Sequence, residues 1–167
     1  PHIGSAQQAP ADDAELPLPE QTQRADEQGL PFPSEHFAPP EYGQYPQNWS
    51  VTQDDRGIIY AANNDGILEY DGESWRLIPT PATQIVRSLT TASDGTVYAG
   101  TVGDFGMLRP DSSGVMRYVS LFKHVPEIYQ DFKDVWGTHA TSEGVYFQSN
   151  ERLFRWDGTN INVWTSA

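Results

Sequence analysis

The sequence predicts an all-β chain of three four-stranded antiparallel meanders, preceded by a proline-rich irregular leader. The first observation is the stretch 49–75, in which four short runs rich in Ile, Val, Tyr and Trp are separated by turns. These residue types favour the half-buried surface of a strand. The turns at 54–57, 63–66 and 71–72 each end in glycine, which tolerates the positive φ of tight hairpins. The second observation is that the same pattern returns twice along the chain.

The repeat is marked by three glycines, Gly57, Gly95 and Gly144, which are 38 and 49 residues apart. A tyrosine follows each glycine by two or three positions. A four-stranded repeat of about 40 to 50 residues is typical of a β-propeller blade. An antiparallel sandwich also repeats its strands with turn signals, but the aligned columns favour the propeller. The column eight residues before each glycine holds Trp49, Arg87 and Trp136.

Composition divides the chain into a leader and a repeat region. Residues 1–47 hold nine of the thirteen prolines. We therefore expect an acidic leader over 1–28, either disordered or lying on the surface, and an extended segment with aromatic anchors over 29–47. The predicted blades are 48–80, 84–120 and 134–167, with a connector over 121–133. We expect the connector to be a short helical turn or an irregular loop, and the first strand of the third blade to cover 134–139.

Three phrases of the sequence carry a family resemblance: YAANNDGILEYDGESWRLI, VYAGTVGDFGMLRPDSSG and DVWGTHATSEGVYFQSNERLFRWDG. They resemble the two-component-regulator propeller repeat family, and the resemblance covers residues 49–165. That family builds the extracytoplasmic sensor region of bacterial signalling receptors such as hybrid histidine kinases and cyclases. The resemblance implies a periplasmic sensor domain for signal transduction, with no catalytic activity of its own. It does not specify a ligand.

Charge and composition exclude several classes of function. The chain has 23 acidic and 10 basic residues, a formal net charge of −13. A field of this sign does not attract the phosphates of nucleic acids. The chain has no cysteine, which excludes disulfides and thiolate metal sites. Its four histidines show no ligand spacing, so we expect no metal and no other cofactor.

Candidate ligand-binding residues lie where propellers usually bind, at the axis and in the loops that join second to third strands. Trp49, Arg87 and Trp136 begin the innermost strands. Aromatic rings beside a guanidinium suit a sugar ring or an anionic group, although both tryptophans could instead be wedges between blades. Arg87 is the most informative of the three because its charge needs a partner. The loops add Asn63, Asp104, Phe105 and Arg152.

The expected function is ligand sensing by the first part of a larger propeller, with a small molecule or an oligosaccharide as ligand. Propellers close with about 4 to 8 blades, so three blades do not make a ring. We expect either the remaining blades of a parent chain or self-association through exposed blade faces to complete it. Two alternatives come from other classes. One is a polysaccharide-acting propeller enzyme, and the other is a structural propeller that only mediates dimerisation.

Overall fold

The structure, a computed structural model, describes residues 36–165. Within that range twelve strands form three four-stranded antiparallel sheets. This confirms the prediction of an all-β fold with three meanders. The leader predicted over 1–28 lies outside the described residues, as does the first part of the segment predicted over 29–47.

The three sheets follow one another along the chain as blades 1, 2 and 3. Blade 1 contains β1 (Asn48–Gln53), β2 (Ile59–Asn63), β3 (Gly66–Tyr70) and β4 (Trp75–Ile78). Blade 2 contains β5 (Val86–Thr91), β6 (Val97–Thr101), β7 (Phe105–Pro110) and β8 (Met116–Ser120). Blade 3 contains β9 (Gly137–Thr141), β10 (Gly144–Gln148), β11 (Arg152–Trp156) and β12 (Ile161–Thr165). In every sheet the strands pair in chain order.

The turn between β1 and β2 shows how the sequence sets these hairpins. Gly57 has a φ of +85°, which an L side chain rarely adopts. The Asp54 carboxylate accepts hydrogen bonds from the backbone N–H groups of Arg56 and Ile58, and it pairs with the Arg56 guanidinium at 2.7 Å. Burial opposes the charge on Asp54, but these hydrogen bonds outweigh it and hold the pKa of the carboxyl below its usual range. The turn is therefore fixed by its own residues.

Each blade presents one face to the blade that follows it, which we call its leading face, and the opposite, trailing face to the blade before it. The leading faces of blades 1 and 2 are buried, because they form the cores between the blades. The corresponding face of blade 3 has no following blade in the described residues, and Trp164 on it is 46% exposed. At equivalent positions the leading faces carry Tyr60, Ile67 and Ile78 in blade 1, Tyr98, Phe105 and Leu121 in blade 2, and Tyr146, Leu153 and Trp164 in blade 3.

Phenylalanine side chains fill the core between blades 2 and 3. Phe105 is fully buried, and its ring stacks on that of Phe147 with centroids 4.3 Å apart. The rings of Phe154 and Phe132 lie 5.1 and 5.7 Å from that of Phe105. Offset aromatic contacts at these distances add to the free energy gained by burying the rings. This cluster therefore fixes blade 3 against blade 2.

Residues 37–45 lie against blade 1, and a short helix interrupts the segment that was predicted to be extended. The short helix α1 (Pro39–Tyr42) begins two residues after Phe37 and ends at Tyr42, and the rings of these two residues make the contact. The ring of Phe37 is 5.3 Å from that of Trp75, and the ring of Tyr42 is 5.9 Å from it. Trp75 in turn stacks on Tyr70 at 4.7 Å.

The longest helix within residues 36–165 has four residues, so none of the helices described there could span a membrane.

The connector between blades 2 and 3 contains two 3-10 turns, at Phe122–His124 and Glu127–Tyr129. The first strand of blade 3 begins later than predicted, at Gly137 and not at 134. Asp134 forms an isolated bridge with Val102 of blade 2. The chain thus pairs with blade 2 before it enters blade 3, and alternation in the sequence alone does not reveal that path.

Candidate functional site

The column residue of blade 1 sits in a β-bulge. Asn48 pairs with Asn63, and Ser50 pairs with the adjacent Ala62, so Trp49 is an extra residue with no partner of its own. A bulge of this kind bends the strand and changes the direction of a side chain. The bulge explains why the indole of Trp49 does not follow the alternation of side chains between the two faces of the sheet.

The bulge recurs in blade 2, and blade 3 has a related backbone contact at the start of its first strand. In blade 2 the register shifts between Val86 and Ser88, which leaves Arg87 as the extra residue. In blade 3 Gly137 pairs with Gln148, whose carbonyl also accepts the N–H of Trp136 at 2.8 Å. Trp136, directly before β9, and Gly137 therefore both lie opposite Gln148. Trp49 and Arg87 share a bulge, and Trp136 occupies the corresponding place at the entry to blade 3.

The three column residues meet in one cluster, which we call the axial cluster. The guanidinium carbon of Arg87 lies 4.2 Å from the ring centroid of Trp49 and 4.8 Å from that of Trp136. The two indole rings are 6.2 Å apart and nearly perpendicular, at 70°. Arg87 Nε donates to Asp134 Oδ1 at 2.6 Å, and Trp49 Nε1 donates to Asn64 Oδ1 at 2.8 Å. Each cation–π contact stabilises such a cluster by about 0.5 to 2 kcal/mol.

The axial cluster borders a cavity of about 320 Å³. Both indoles stay accessible there, with Trp49 42% and Trp136 46% exposed, whereas the Arg87 side chain is 14% exposed. No aspartate or glutamate lines this cavity. Its lining residues are Trp49, Ser50, Arg87, Ser88, Leu89, Trp136, Gly137, Thr138, His139 and Gln148.

Asn63 is buried at the end of β2 and makes its hydrogen bonds within the chain. Its Nδ2 donates to the carbonyl oxygens of Tyr45 at 2.6 Å and Gln47 at 3.1 Å, and to Asn48 Oδ1 at 2.8 Å. Its Oδ1 accepts the N–H of Asp65 at 3.0 Å. These bonds hold the segment before β1 against blade 1. Asn63 does not line the axial cavity, and a ligand role for it stays a prediction.

Asp104 and Phe105 also lie away from the axial cavity. Asp104 is 4% exposed, and its Oδ1 accepts the N–H of Phe105 at 2.7 Å and the hydroxyl of Ser120 at 2.8 Å. Burial raises the pKa of the Asp104 carboxyl above its ordinary value. Phe105 belongs to the core between blades 2 and 3. The structure assigns both side chains to packing and turn formation, while their predicted contact with a ligand stays a prediction.

Arg152 lies at the start of β11, where its guanidinium donates to the backbone carbonyl of Asp131. It lines a separate cavity of about 380 Å³ together with Glu151, Leu153 and Trp164. The structure therefore brings together three of the seven predicted residues, and Arg152 is not one of them. Its role in binding a ligand also stays a prediction.

The sequence did not single out Asp134 or Gln148 as site residues. Asp134 precedes Trp136 by two residues, but its contact with Arg87 depends on the path of the connector. Gln148 lies opposite Gly137 and accepts the N–H of Trp136, so the register of β9 and β10 was the signal that could have identified it. Among residues 36–165 no group of three or more His, Asp or Glu side chains is arranged to hold a metal ion.

Comparison with known proteins identifies the fold. No family model matches this sequence, and no curated protein matches it. The chain is similar to a solved streptogramin B lyase, with a TM-score of 0.54 and 14% identity over 72% of this chain and 42% of that chain. It is also similar to virginiamycin B lyase from Staphylococcus aureus, with a TM-score of 0.52 and 17% identity over 71% of this chain and 41% of that one. A third similar structure is YCF48 from Cyanidioschyzon merolae, with a TM-score of 0.52 and 12% identity over 74% of this chain and 41% of that one.

The fold is that of a β-propeller. Three blades of it are described, and they do not close into a ring. The chain spans about two fifths of the length of the solved structures it resembles, with 41% to 42% of their chains covered. At these sequence identities the likeness concerns the fold alone, so the chemistry of the lyases does not transfer to this propeller.

Proposed function

We propose that this propeller is the N-terminal part of a periplasmic ligand-sensing domain of a transmembrane bacterial signal-transduction receptor, of the two-component or cyclase type. The resemblance of its repeats to the two-component-regulator propeller family supports the receptor class. The observation that carries ligand binding is the axial cluster, in which three successive blades each contribute one residue to an accessible cavity.

The axial cluster has the properties of a binding site prepared in advance. Trp49 and Trp136 remain more than 40% exposed beside the cavity, whereas Trp156, a side chain of the same size, is buried in the core at 6% exposure. The guanidinium between them is held by Asp134 and by both rings, so little side-chain entropy is lost when a ligand arrives. A cavity of about 320 Å³ accommodates a monosaccharide-sized molecule.

Under this proposal the ligand acts by contacting several blades at once. Trp49 and Arg87 belong to blades 1 and 2, and Trp136 directly precedes the first strand of blade 3, so a molecule among them favours one relative placement of the blades. A receptor responds when the ligand binds one arrangement more tightly than another. The output domain, expected to be a histidine kinase or a cyclase, would lie outside this chain.

Replacing both indoles, Trp49→Ala with Trp136→Ala, is expected to abolish ligand binding, because it removes both accessible rings at the cavity. The measurement is the melting temperature of the chain in the presence of a panel of monosaccharides, oligosaccharides and small organic acids. We expect at least one compound to raise the melting temperature of the wild type in a concentration-dependent way, and the double variant to show no such shift.

Trp164→Ala is the matched control for this test, because Trp164 is 46% exposed and also lies near an arginine, Arg155, at 5.7 Å. It lies on the leading face of blade 3 and does not line the axial cavity. The control variant should keep the shift. The proposal is wrong if no compound stabilises the wild type, or if the double variant folds and keeps the full shift.

An enzyme that acts on polysaccharides is the alternative from another class. It would need an acid–base pair at the axial face. The lining of the axial cavity contains one titratable imidazole, His139, and no carboxylate. This lining favours binding over hydrolysis by paired carboxylates. A turnover assay on a panel of glycans separates the two functions, since the release of any product would favour the enzyme.

We also propose that the leading face of blade 3 is the surface at which the propeller is completed, either by further blades of the parent chain or by a second copy of this chain. The equivalent positions of blades 1 and 2 are at most 7% exposed, whereas Trp164 is 46% exposed. In isolation, the chain is therefore expected to dimerise through this face. Light scattering at several concentrations should give the mass of a dimer.

Adding charge to this face should prevent self-association. We expect Leu153→Asp with Trp164→Asp to be a monomer, because the new carboxylates would have to be buried at the contact. Ile128→Asp adds charge to a side chain that is 77% exposed in the connector, and this control should still dimerise. A wild-type chain that is monomeric at every concentration would contradict self-association.

A further inference from the structure

The axial cavity differs in charge from the rest of the chain. The chain has a formal net charge of −13. A cavity of about 330 Å³ at the opposite end of the inner hairpins is lined by three carboxylates, those of Asp54, Asp55 and Asp94, and by two guanidinium groups, those of Arg56 and Arg109. No carboxylate lines the axial cavity, and the guanidinium of Arg87, which is paired through its Nε with Asp134, is the charged group of its lining. An anion in the axial cavity therefore meets no carboxylate in the lining, unlike an anion in the cavity at the opposite end.

Arg87 keeps part of its hydrogen-bonding capacity free. Its Nε donates to Asp134, but its two terminal amino groups have no hydrogen-bond partner in residues 36–165. The two groups are not among the buried polar atoms that lack a partner, so each of them is accessible to solvent. Two parallel N–H groups at the end of a guanidinium match the two oxygens of a carboxylate. The contacts with Asp134 and both indoles hold this edge in a fixed orientation.

Polar side chains line the axial cavity together with Arg87. A Cβ at Gly137 would lie 3.1 Å from His139 Nε2 and 3.3 Å from Gln148 Oε1, so these two side chains lie together over the glycine. Ser50 Oγ accepts the N–H of Leu89 at 3.3 Å and keeps its own hydrogen for donation. These groups can form hydrogen bonds with the hydroxyls of a ligand, and the exposed indoles can pack against the apolar face of its ring.

From these observations we infer that the axial cavity binds a sugar acid, with its carboxylate on the terminal amino groups of Arg87 and its ring against Trp49 or Trp136. This inference rests on the proposed ligand-binding function and names the ligand class. A carboxylate fits better than a phosphate, because Asp134 already balances the charge of Arg87 and a single negative charge is the smaller addition.

The test uses the whole chain with three probes that share a pyranose ring: glucuronate, glucose and glucose 6-phosphate. The readout is the set of five indole N–H signals in the ¹H–¹⁵N NMR spectrum, one for each tryptophan. We expect glucuronate to shift the signals of Trp49 and Trp136 and to bind at least about tenfold more tightly than glucose. Glucose 6-phosphate should bind more weakly than glucuronate.

Arg87→Gln should remove the preference for glucuronate over glucose, and Arg87→Lys should keep only part of it, because lysine lacks the planar pair of donors. Arg155→Gln is the matched control, since Arg155 also lies over a tryptophan and pairs with a carboxylate, that of Glu143. The control should keep the preference. The dispersion of the five indole signals shows whether each variant is folded.

Each outcome decides the inference. Equal binding of glucose and glucuronate at Trp49 and Trp136 would overturn the sugar-acid class and leave the proposed ligand-binding function standing. Tighter binding of glucose 6-phosphate, or a full preference for glucuronate in a folded Arg87→Gln variant, would also overturn it. If none of the probes shifts these two signals, the inference is wrong, and the compound panel described above decides the proposed function separately.

Discussion

Replacing Phe105 by alanine is expected to lower the free energy of unfolding by about 3 to 5 kcal/mol. Its ring is fully buried between blades 2 and 3 and contacts the rings of Phe147, Phe154 and Phe132. Truncation would leave a cavity among three rigid rings that belong to different strands and to the connector. Since domains of this size are stable by only about 5 to 15 kcal/mol, the variant should be close to unfolding.

The measurement is chemical denaturation followed by tryptophan fluorescence. Ile128→Ala is the control, because Ile128 is 77% exposed and its truncation should change the free energy of unfolding by less than about 0.5 kcal/mol. Phe105→Leu fills part of the cavity and should recover part of the loss, which keeps the prediction measurable if the alanine variant does not fold. An alanine variant as stable as the wild type would show that Phe105 does not join the blades.

Replacing Gly100 by alanine is expected to destabilise the propeller by about 3 kcal/mol or more, through overpacking. A Cβ at this position would lie 2.5 Å from both Ser88 Oγ and Val135 Cγ1, and 2.8 Å from the carbonyl oxygen of Val135. Ser88 donates to that same carbonyl at 2.8 Å, so the crowded atoms already hold blade 2 to the approach of blade 3.

The same substitution should also disturb the axial cluster, because moving Val135 moves its neighbours Asp134 and Trp136 away from Arg87. The indole signal of Trp136 reports this displacement, and denaturation reports the loss of stability. Gly72→Ala is the control. Nothing lies within 4 Å of a Cβ at Gly72, so this substitution causes no clash. It costs only the backbone strain of an alanine at a φ of +98°, about 1 kcal/mol. Equal stabilities for the two variants would contradict the steric argument.

The arrangement of strands was predictable from the sequence because it depends on local turn chemistry. Aspartate and glycine at fixed offsets bring the hairpin at Gly57 to its observed form without help from distant residues. The column of Trp49, Arg87 and Trp136 was predictable for the same reason, since equal spacing from equal turns places residues alike. These features require only information carried within one repeat.

The remaining site residues depend on contacts between repeats, which spacing does not encode. Asp134 reaches Arg87 because the connector pairs with blade 2 before β9 begins, and this pairing also made the predicted start of β9 wrong. The sequence predicts Asn63 and Asp104 as ligand-binding residues because they are polar and lie in loops near the axis. Polar side chains in such loops commonly bond to the nearby backbone, and both are buried in this way.

The pairing of every strand with its neighbour in the chain has a consequence for folding during synthesis. Each sheet is complete once its own four consecutive strands have emerged, because none borrows a strand from another part of the described chain. Contacts of large sequence separation, such as the hydrogen bond between Ser88 and Thr138 across 50 residues, join finished sheets. Local pairing of this kind lowers the contact order and speeds folding. The strands of blade 1 can therefore pair as they emerge from the ribosome, while the core on its leading face forms only when blade 2 packs against it, and blade 3 then packs on blade 2 in the same way.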